Sequence, residues 1–130
     1  MQVEIFTLCD SAHVYSGRAV VSGSFNQIIA KELPVKLNLT LSVRIAFDKN
    51  EAGDKVFYFC FRNPDGSLLI PDFKCEAKQM IPEEKLSPLT TFDLNIGLGA
   101  ISFNQFGIYT VIMKLENKDF ILKFLVQESL

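Results

Sequence analysis

A chain of 130 residues has the length of one domain, residues 1–130, and can bury a core without disulfides or metals. Its 48% apolar content excludes a disordered polymer. Thirteen basic residues against fifteen acidic ones leave a net charge of −2, which gives no electrostatic reason to expect nucleic acid or an anionic membrane as a partner.

The N-terminal part of the chain predicts two strands and a strap. Residues 3–10 carry apolar side chains on both faces, so we expect a first strand covered on both sides. Residues 18–25 form a second strand after a turn. Phe25, Ile28 and Ile29 then follow at roughly one-turn helical spacing, which predicts a strap or a short helical turn that crosses between sheets.

The middle of the chain alternates more regularly. Residues 37–47 form the cleanest predicted strand, with one apolar and one largely polar face, and residues 56–62 follow as another. Residues 73–80 predict an edge strand, because outward lysines on a short strand resist further pairing. Residues 81–89 are the longest irregular segment, and residues 91–98 alternate again.

Gly97-Leu98-Gly99 interrupts this last alternation. The segment lacks the third glycine of a phosphate-binding loop and no βαβ unit surrounds it, so we interpret it as a bulge or turn. Together the short apolar runs indicate about seven to nine strands and almost no helix. We therefore predict an all-β, antiparallel, immunoglobulin-like sandwich that closes with a C-terminal hairpin.

The closing hairpin has a consistent pattern on both strands. With Asn117 and Lys118 as the two turn residues, one face is entirely apolar: Tyr109, Val111, Met113, Leu115, Phe120, Leu122, Phe124 and Val126. The other face pairs Ile112 with Lys123 and Ile121 with Lys114 in this register. Each exposed isoleucine would then have a lysine stem beside it.

Gly107-Ile108-Tyr109 resembles the tyrosine corner of immunoglobulin-like sandwiches, in which the tyrosine hydroxyl bonds the backbone a few residues upstream. Gln105 stands at the usual acidic position, and Val111 stands where antibody domains have a cysteine. The resemblance implies a buried Tyr109 whose hydroxyl bonds a backbone group near the preceding turn.

Scattered positions over most of the chain resemble a family of small uncharacterised bacterial proteins. They are Phe6-Thr7-Leu8-Cys9-Asp10, Gly17, Gly23-Ser24-Phe25 before Ile28, and Gly107-Ile108-Tyr109. The resemblance implies a single β-sandwich domain without assigned activity, and it transfers no catalytic residue.

The cysteines bear on the compartment. Cys9, Cys60 and Cys75 are an odd number with no close pair. Residues 3–5 already predict strand and no basic segment precedes them, so no signal peptide is expected. No apolar run approaches the ~20 residues of a membrane-spanning helix. We predict a cytoplasmic protein without a membrane partner, with three reduced thiols.

Cys9, Asp10 and His13 are the one cluster of residue types that could carry chemistry. A thiolate, a carboxylate and an imidazole could bind zinc or form a Cys–His nucleophile pair. His13 is the sole histidine, however, and zinc needs three or four protein ligands. The simpler interpretation is a core cysteine, a turn aspartate and a loop histidine. We predict no metal, no cofactor and no catalytic residue.

A complete fold pattern beside so few reactive groups predicts a non-enzymatic binding or assembly module. Its interface candidates are Ile108, Ile112, Ile121 and Leu125 on the outer hairpin face, where a homodimer or an unknown protein partner would dock. A carrier of a small apolar ligand between the sheets is the alternative. A Cys9/His13 enzyme or metal protein is the third hypothesis.

Overall fold

Alternating side chains form extended strands throughout the described part of the computed structural model, residues 1–51, 53–78 and 89–130. These ranges contain ten strands: β1 (Gln2–Cys9), β2 (Ser11–Tyr15), β3 (Arg18–Ser22), β4 (Gln27–Ala30), β5 (Val35–Phe47), β6 (Lys55–Arg62), β7 (Leu68–Ala77), β8 (Thr90–Phe103), β9 (Gly107–Leu115) and β10 (Lys118–Glu128). A 3₁₀ turn spans Lys49–Glu51. The all-β prediction is confirmed, with more strands than the expected seven to nine.

Two larger sheets and one hairpin organise these strands. The first sheet has the order β1-β5-β8, and the second has the order β4-β10-β9-β6-β7. Strands β2 and β3 pair only with each other. Strand β4 runs parallel to β10, and the other pairings among described residues are antiparallel. In the described ranges no sheet closes into a barrel.

The core lies between the two larger sheets. Both sheets contribute buried side chains to a single cluster, including Leu41 and Val43 of β5, Phe57 and Phe59 of β6, and Tyr109 of β9. Because each strand alternates, every second residue of these strands enters this cluster. The result is the predicted sandwich.

Tyr109 is fully buried within this core. Its hydroxyl donates to the Gln105 carbonyl oxygen at 2.8 Å and accepts from the Gln105 backbone N–H at 3.2 Å. Gly107 lies between these residues at φ +132°, a conformation that residues with a Cβ rarely adopt. The expected bond from Tyr109 to the backbone before its strand is therefore present.

At Phe25, Ile28 and Ile29 the expected helical turn is wrong, because residues 27–30 form strand β4. The segment does cross between the sheets as expected, since Phe25 bridges to Leu8 of β1 and β4 pairs with β10. Ile28 points into the core and Ile29 is 64% exposed, as a period of two requires. The segment pairs with β10 from Gln27 opposite Leu125 onward. Three apolar residues fit helical and strand spacing equally well over so short a segment, and the edge of β10 decides between them.

Strand β2 was not predicted, and its five residues are mostly exposed. It pairs with β3 to form a hairpin that contacts β5 and β8 on the far side of the three-stranded sheet. The hairpin is anchored where the Arg44 guanidinium donates to the Gly17 carbonyl oxygen at 3.1 Å.

The register expected for the closing hairpin is wrong by two residues. Leu115 pairs with Lys118, and Met113 pairs with Phe120, so Glu116 and Asn117 are the turn residues. Both have positive φ, 50° and 63°, as in the tight turn whose twist matches paired strands. A shift of two leaves every side chain on its predicted face, because strands alternate with period two.

Three remaining predictions concern the second half of the chain. The Gly97-Leu98-Gly99 bulge is confirmed, since Leu39 pairs with Gly99 and the next residue, Thr40, with Gly97. Strand β7 lies at the edge of its sheet as expected, but it begins at Leu68 rather than at residue 73. The predicted irregular segment, residues 81–89, and the end of the 73–80 strand fall largely outside the described residues.

Candidate functional site: the outer face of the five-stranded sheet

The five-stranded sheet has one face on the core and one face directed away from it. We call the second the outer face. Its apolar residues include the predicted interface candidates: Ile108 and Ile121 are 57% and 60% exposed, and Ile112 and Leu125 are half-buried. Tyr58 and Cys60 of β6 continue the surface, because Cys60 lies opposite Ile112.

These apolar side chains form two cross-strand pairs, with the Thr110–Lys123 pair between them. Ile112 pairs directly with Ile121, and Ile108 pairs with Leu125. The expected Ile112–Lys123 and Ile121–Lys114 pairs are therefore wrong, a consequence of the two-residue register shift. Directly opposed side chains have Cβ atoms about 4.5–5.5 Å apart. The outer face therefore carries two apolar pairs on either side of one Thr–Lys pair.

Further charged side chains lie on β6 and β7 beside these pairs. Arg62 binds both carboxylate oxygens of Asp72, at 2.7 and 3.1 Å, and Lys74 lies 3.4 Å from Glu76. The hydrogen bond from Arg62 lowers the pKa of Asp72, and the same bond raises the pKa of Arg62. Both partners therefore stay charged over a wide pH range, although such exposed pairs contribute little to stability.

A depression of about 380 Å³ lies on the β6–β7 side of the outer face. Tyr58, Cys60, Lys74 and Lys114 are among its lining residues. It is open, and its lining combines apolar side chains with two lysines and Asp72. We assigned no role to Tyr58 or Cys60 from the sequence, although the inward Phe57, Phe59 and Phe61 stripe places both on the opposite face.

The corresponding face of the three-stranded sheet differs, because other residues of the chain pair with its polar side chains and partly cover it. Arg44 lies 3.4 Å from Glu4 and 3.8 Å from Asp93, and Ser42 donates to Asn95 at 2.8 Å. The β2–β3 hairpin contacts this side through Gly17. Polar side chains there are paired and partly covered.

Cys9, Asp10 and His13 are separated by the strand geometry. Cys9 is fully buried and its Sγ donates to the Thr40 carbonyl oxygen at 3.5 Å, while Asp10 and His13 are exposed. Burial, with a smaller contribution from the Asp10 charge, raises the pKa of the Cys9 thiol, which makes it a poor nucleophile. Within the described ranges, no group of three His, Cys, Asp or Glu could hold a metal ion.

The cysteines are unpaired in this structure. Cys9 and Cys60 are buried, Cys75 is half-buried, and all three are free thiols. Burial also raises the pKa of Cys75. In the described part of the chain, no helix is long and apolar enough to cross a membrane.

Comparisons with known proteins identify a family. No curated protein and no solved structure showed significant similarity to this chain. The profile of one family, described as a family of unknown function (DUF6941), matches residues 4–121. That range covers most of the chain, including strands β1 to β9 and the start of β10. The chain therefore belongs to the DUF6941 family of unknown function.

Proposed function

We propose that this protein is a non-enzymatic assembly module of the bacterial cytoplasm. In this proposal it has an immunoglobulin-like topology, and the outer face of the five-stranded sheet binds a second copy of the chain. The unpaired thiols agree with a reducing compartment.

The strand order supports the immunoglobulin-like assignment. In such domains strands A, B and E share one sheet, and G, F, C and C′ share the other. Here β1-β5-β8 and β10-β9-β6-β7 have the same orders when read as A-B-E and G-F-C-C′. The Tyr109 bond to Gln105 stands at the start of the F-equivalent strand, where the tyrosine corner belongs.

The observation that carries the binding role is the contrast between the outer face and the corresponding face of the three-stranded sheet. The chain uses a hairpin and ion pairs on the three-stranded sheet, whereas the Ile112–Ile121 and Ile108–Leu125 pairs on the other sheet have no such cover among described residues. Exposed apolar side chains that cluster on one sheet face, here as two pairs around Thr110 and Lys123, are typical of interaction sites.

The charges of the outer face favour a second copy as the occupant. Four basic residues, Arg62, Lys74, Lys114 and Lys123, stand against three acidic ones, Asp72, Glu76 and Asp119, so the face carries a net charge of only +1. A nearly neutral surface of mixed sign can meet itself without strong repulsion. A five-stranded face of this length measures roughly 600 Å², the low end for a specific interface, so we expect a reversible dimer.

Sedimentation velocity between about 1 and 300 μM tests this proposal. Wild-type protein should shift from monomer to dimer with concentration. Ile108→Glu/Ile121→Glu should remain monomeric with an unchanged circular dichroism spectrum, because both side chains are exposed and their loss opens no cavity. The matched control is Val14→Glu/Val20→Glu, which adds the same charges at exposed valines of the β2–β3 hairpin and should still dimerise.

Two outcomes would contradict the homodimer. Wild-type protein that stays monomeric over the whole range would leave only a heterologous partner for the outer face. Dimerisation lost equally in both double variants would show a nonspecific charge effect. Native mass spectrometry of the same samples also examines the carrier hypothesis, since a co-purified apolar metabolite would favour it.

A further inference from the structure

A groove of about 250 Å³ opens at one side of the sandwich, between the start of β5 and strand β4 at the edge of the five-stranded sheet. It lies where β1 leaves β5 and the chain passes to β4 in the other sheet. Its lining is mainly apolar and includes Phe25, Ile28, Val35 and Leu37, with one charged residue, Asp10.

Strand β5 has a free main-chain edge along this groove. On one side, residues 35–39 pair with β8 from Phe103 to Gly99. On the other side, β1 pairs with β5 only from Ala46 to Thr40, and the chain then turns into β2. Among described residues no strand continues β1 beside residues 35–39. Backbone N–H and C=O groups of that edge therefore face the groove.

The described residues that flank 79–88 lie far from this edge. Residues 79–88 are flanked by Ala77, which pairs with Lys55, and by Thr90, which pairs with Phe47. Both flanking residues lie at the Phe47 end of β5, roughly 25 Å or more from residues 35–39 at strand spacing.

We propose that this edge binds an extended peptide segment of a partner protein by β-strand addition. The peptide would take the direction of β1, antiparallel to β5, and hydrogen-bond to residues 35–39. Its alternate apolar side chains would enter the groove beside Phe25 and Ile28. A basic residue at its N-terminal end would meet the Asp10 carboxylate, which no described residue bonds.

Backbone amide exchange measured by NMR tests the proposal with a defined probe. The probe is an acetylated, amidated peptide, Lys-Val-Thr-Val-Thr-Val, which alternates apolar residues behind one basic residue. Amides at alternate positions of residues 35–39 should exchange rapidly in free protein and at least about tenfold more slowly with millimolar peptide. The same peptide with N-methylated valines should give no protection, because it lacks the required donors.

Variants separate this edge from other surfaces. Asp10→Asn should remove the preference for the lysine peptide over its glutamate counterpart. Ile29→Glu, at an exposed position on the groove wall, should weaken binding, whereas Ile108→Glu, whose side chain does not line the groove, should not.

Three outcomes would overturn the proposal: slow exchange of all these amides in free protein, no protection at saturating peptide, and protection that survives N-methylation. A decanoate probe that shifts the Phe25 and Ile28 signals, where the peptide protects no amide, would instead assign the groove to an apolar small molecule.

Discussion

Tyr109 combines aromatic ring contacts with hydrogen bonds inside this core. Its ring stacks on Phe124 at 5.1 Å between centroids and meets Phe103 edge-on at 5.2 Å. Its hydroxyl both donates to and accepts from Gln105. The Gly-x-Tyr pattern predicted this bond because the partners are four residues apart. The flanking rings come from β8 and β10, and the Gly-x-Tyr pattern does not predict which rings these are.

Tyr109→Phe should lower the free energy of unfolding by about 1–3 kcal/mol, because it leaves backbone groups of Gln105 without their buried partner. Urea denaturation followed by circular dichroism measures the effect. Tyr15→Phe is the control, since Tyr15 is 70% exposed and its loss should change the midpoint little. Equal midpoints for wild type and Tyr109→Phe would remove the structural role of the bond.

Alkaline pH should act on the same residue. Burial raises the pKa of Tyr109 above its ordinary 10.0, so the folded state binds this proton more tightly than the unfolded state does. The resulting stability is complete below pH 10 and is lost as pH rises through the folded-state pKa. Between about pH 9.5 and 11, Tyr109→Phe should therefore lose less stability than wild type. Parallel losses in the two proteins would contradict this.

At the scale of elements, β5, β6, β9 and β10 follow from alternation alone because each buries one full face. The exact register of the closing hairpin does not, since shifts by two preserve the pattern. Backbone conformation at Glu116 and Asn117 fixes it. The same limit applies to the candidate site. Its four interface residues lie on the predicted face, but the residues predicted to pair with them across the strands were wrong.

The turn carries a residue that backbone geometry disfavours. Glu116 has φ 50°, which costs a residue with a Cβ about 1–2 kcal/mol. Its carboxylate, however, binds the Nζ of buried Lys55 at 2.5 Å, and Lys55 also donates to the Glu51 carbonyl oxygen and lies over the Phe47 ring. We infer that Glu116 stays in this position because it neutralises a buried cation.

The effect of Glu116→Gly on the free energy of unfolding should therefore depend on whether Lys55 is present. In Lys55→Met protein it should stabilise by about 1 kcal/mol, because only the backbone strain is removed. In wild type the same substitution should be about 1–3 kcal/mol less favourable for stability than in the Lys55→Met protein, since the buried ammonium loses its partner. Asn117→Gly at φ 63° is the matched control and should behave alike in both backgrounds. A double-mutant cycle from urea titrations measures the coupling, and a coupling near zero would exclude this explanation.

At the scale of the whole molecule, the β2–β3 hairpin is an addition to a complete sandwich. No residue between Ser11 and Ser22 belongs to the core cluster or packs against it as a partly buried apolar residue. The two ends of the hairpin lie side by side. The Asp10 N–H donates to the Ser22 carbonyl oxygen at 3.0 Å, and a Cβ at Gly23 would lie 2.2 Å from Asp10 Oδ2.

Deleting residues 11–22 should therefore leave a protein that unfolds in one cooperative transition. We expect some loss of stability, because Arg44 loses its bond to Gly17. Differential scanning calorimetry compares the calorimetric and van't Hoff enthalpies, which should agree in the deletion variant as in wild type. Loss of a cooperative transition would show that the hairpin belongs to the folding unit.

The parallel pairing of β4 with β10 has a consequence for biosynthesis. Gln27 and Leu125 lie roughly a hundred residues apart, so a ribosome adding about 10 residues per second completes β10 some ten seconds after β4. In that interval Ile28 and Ala30 have no sheet to join. The nascent sandwich is therefore open along this side, and these apolar side chains stay without their sheet partner until translation reaches β10.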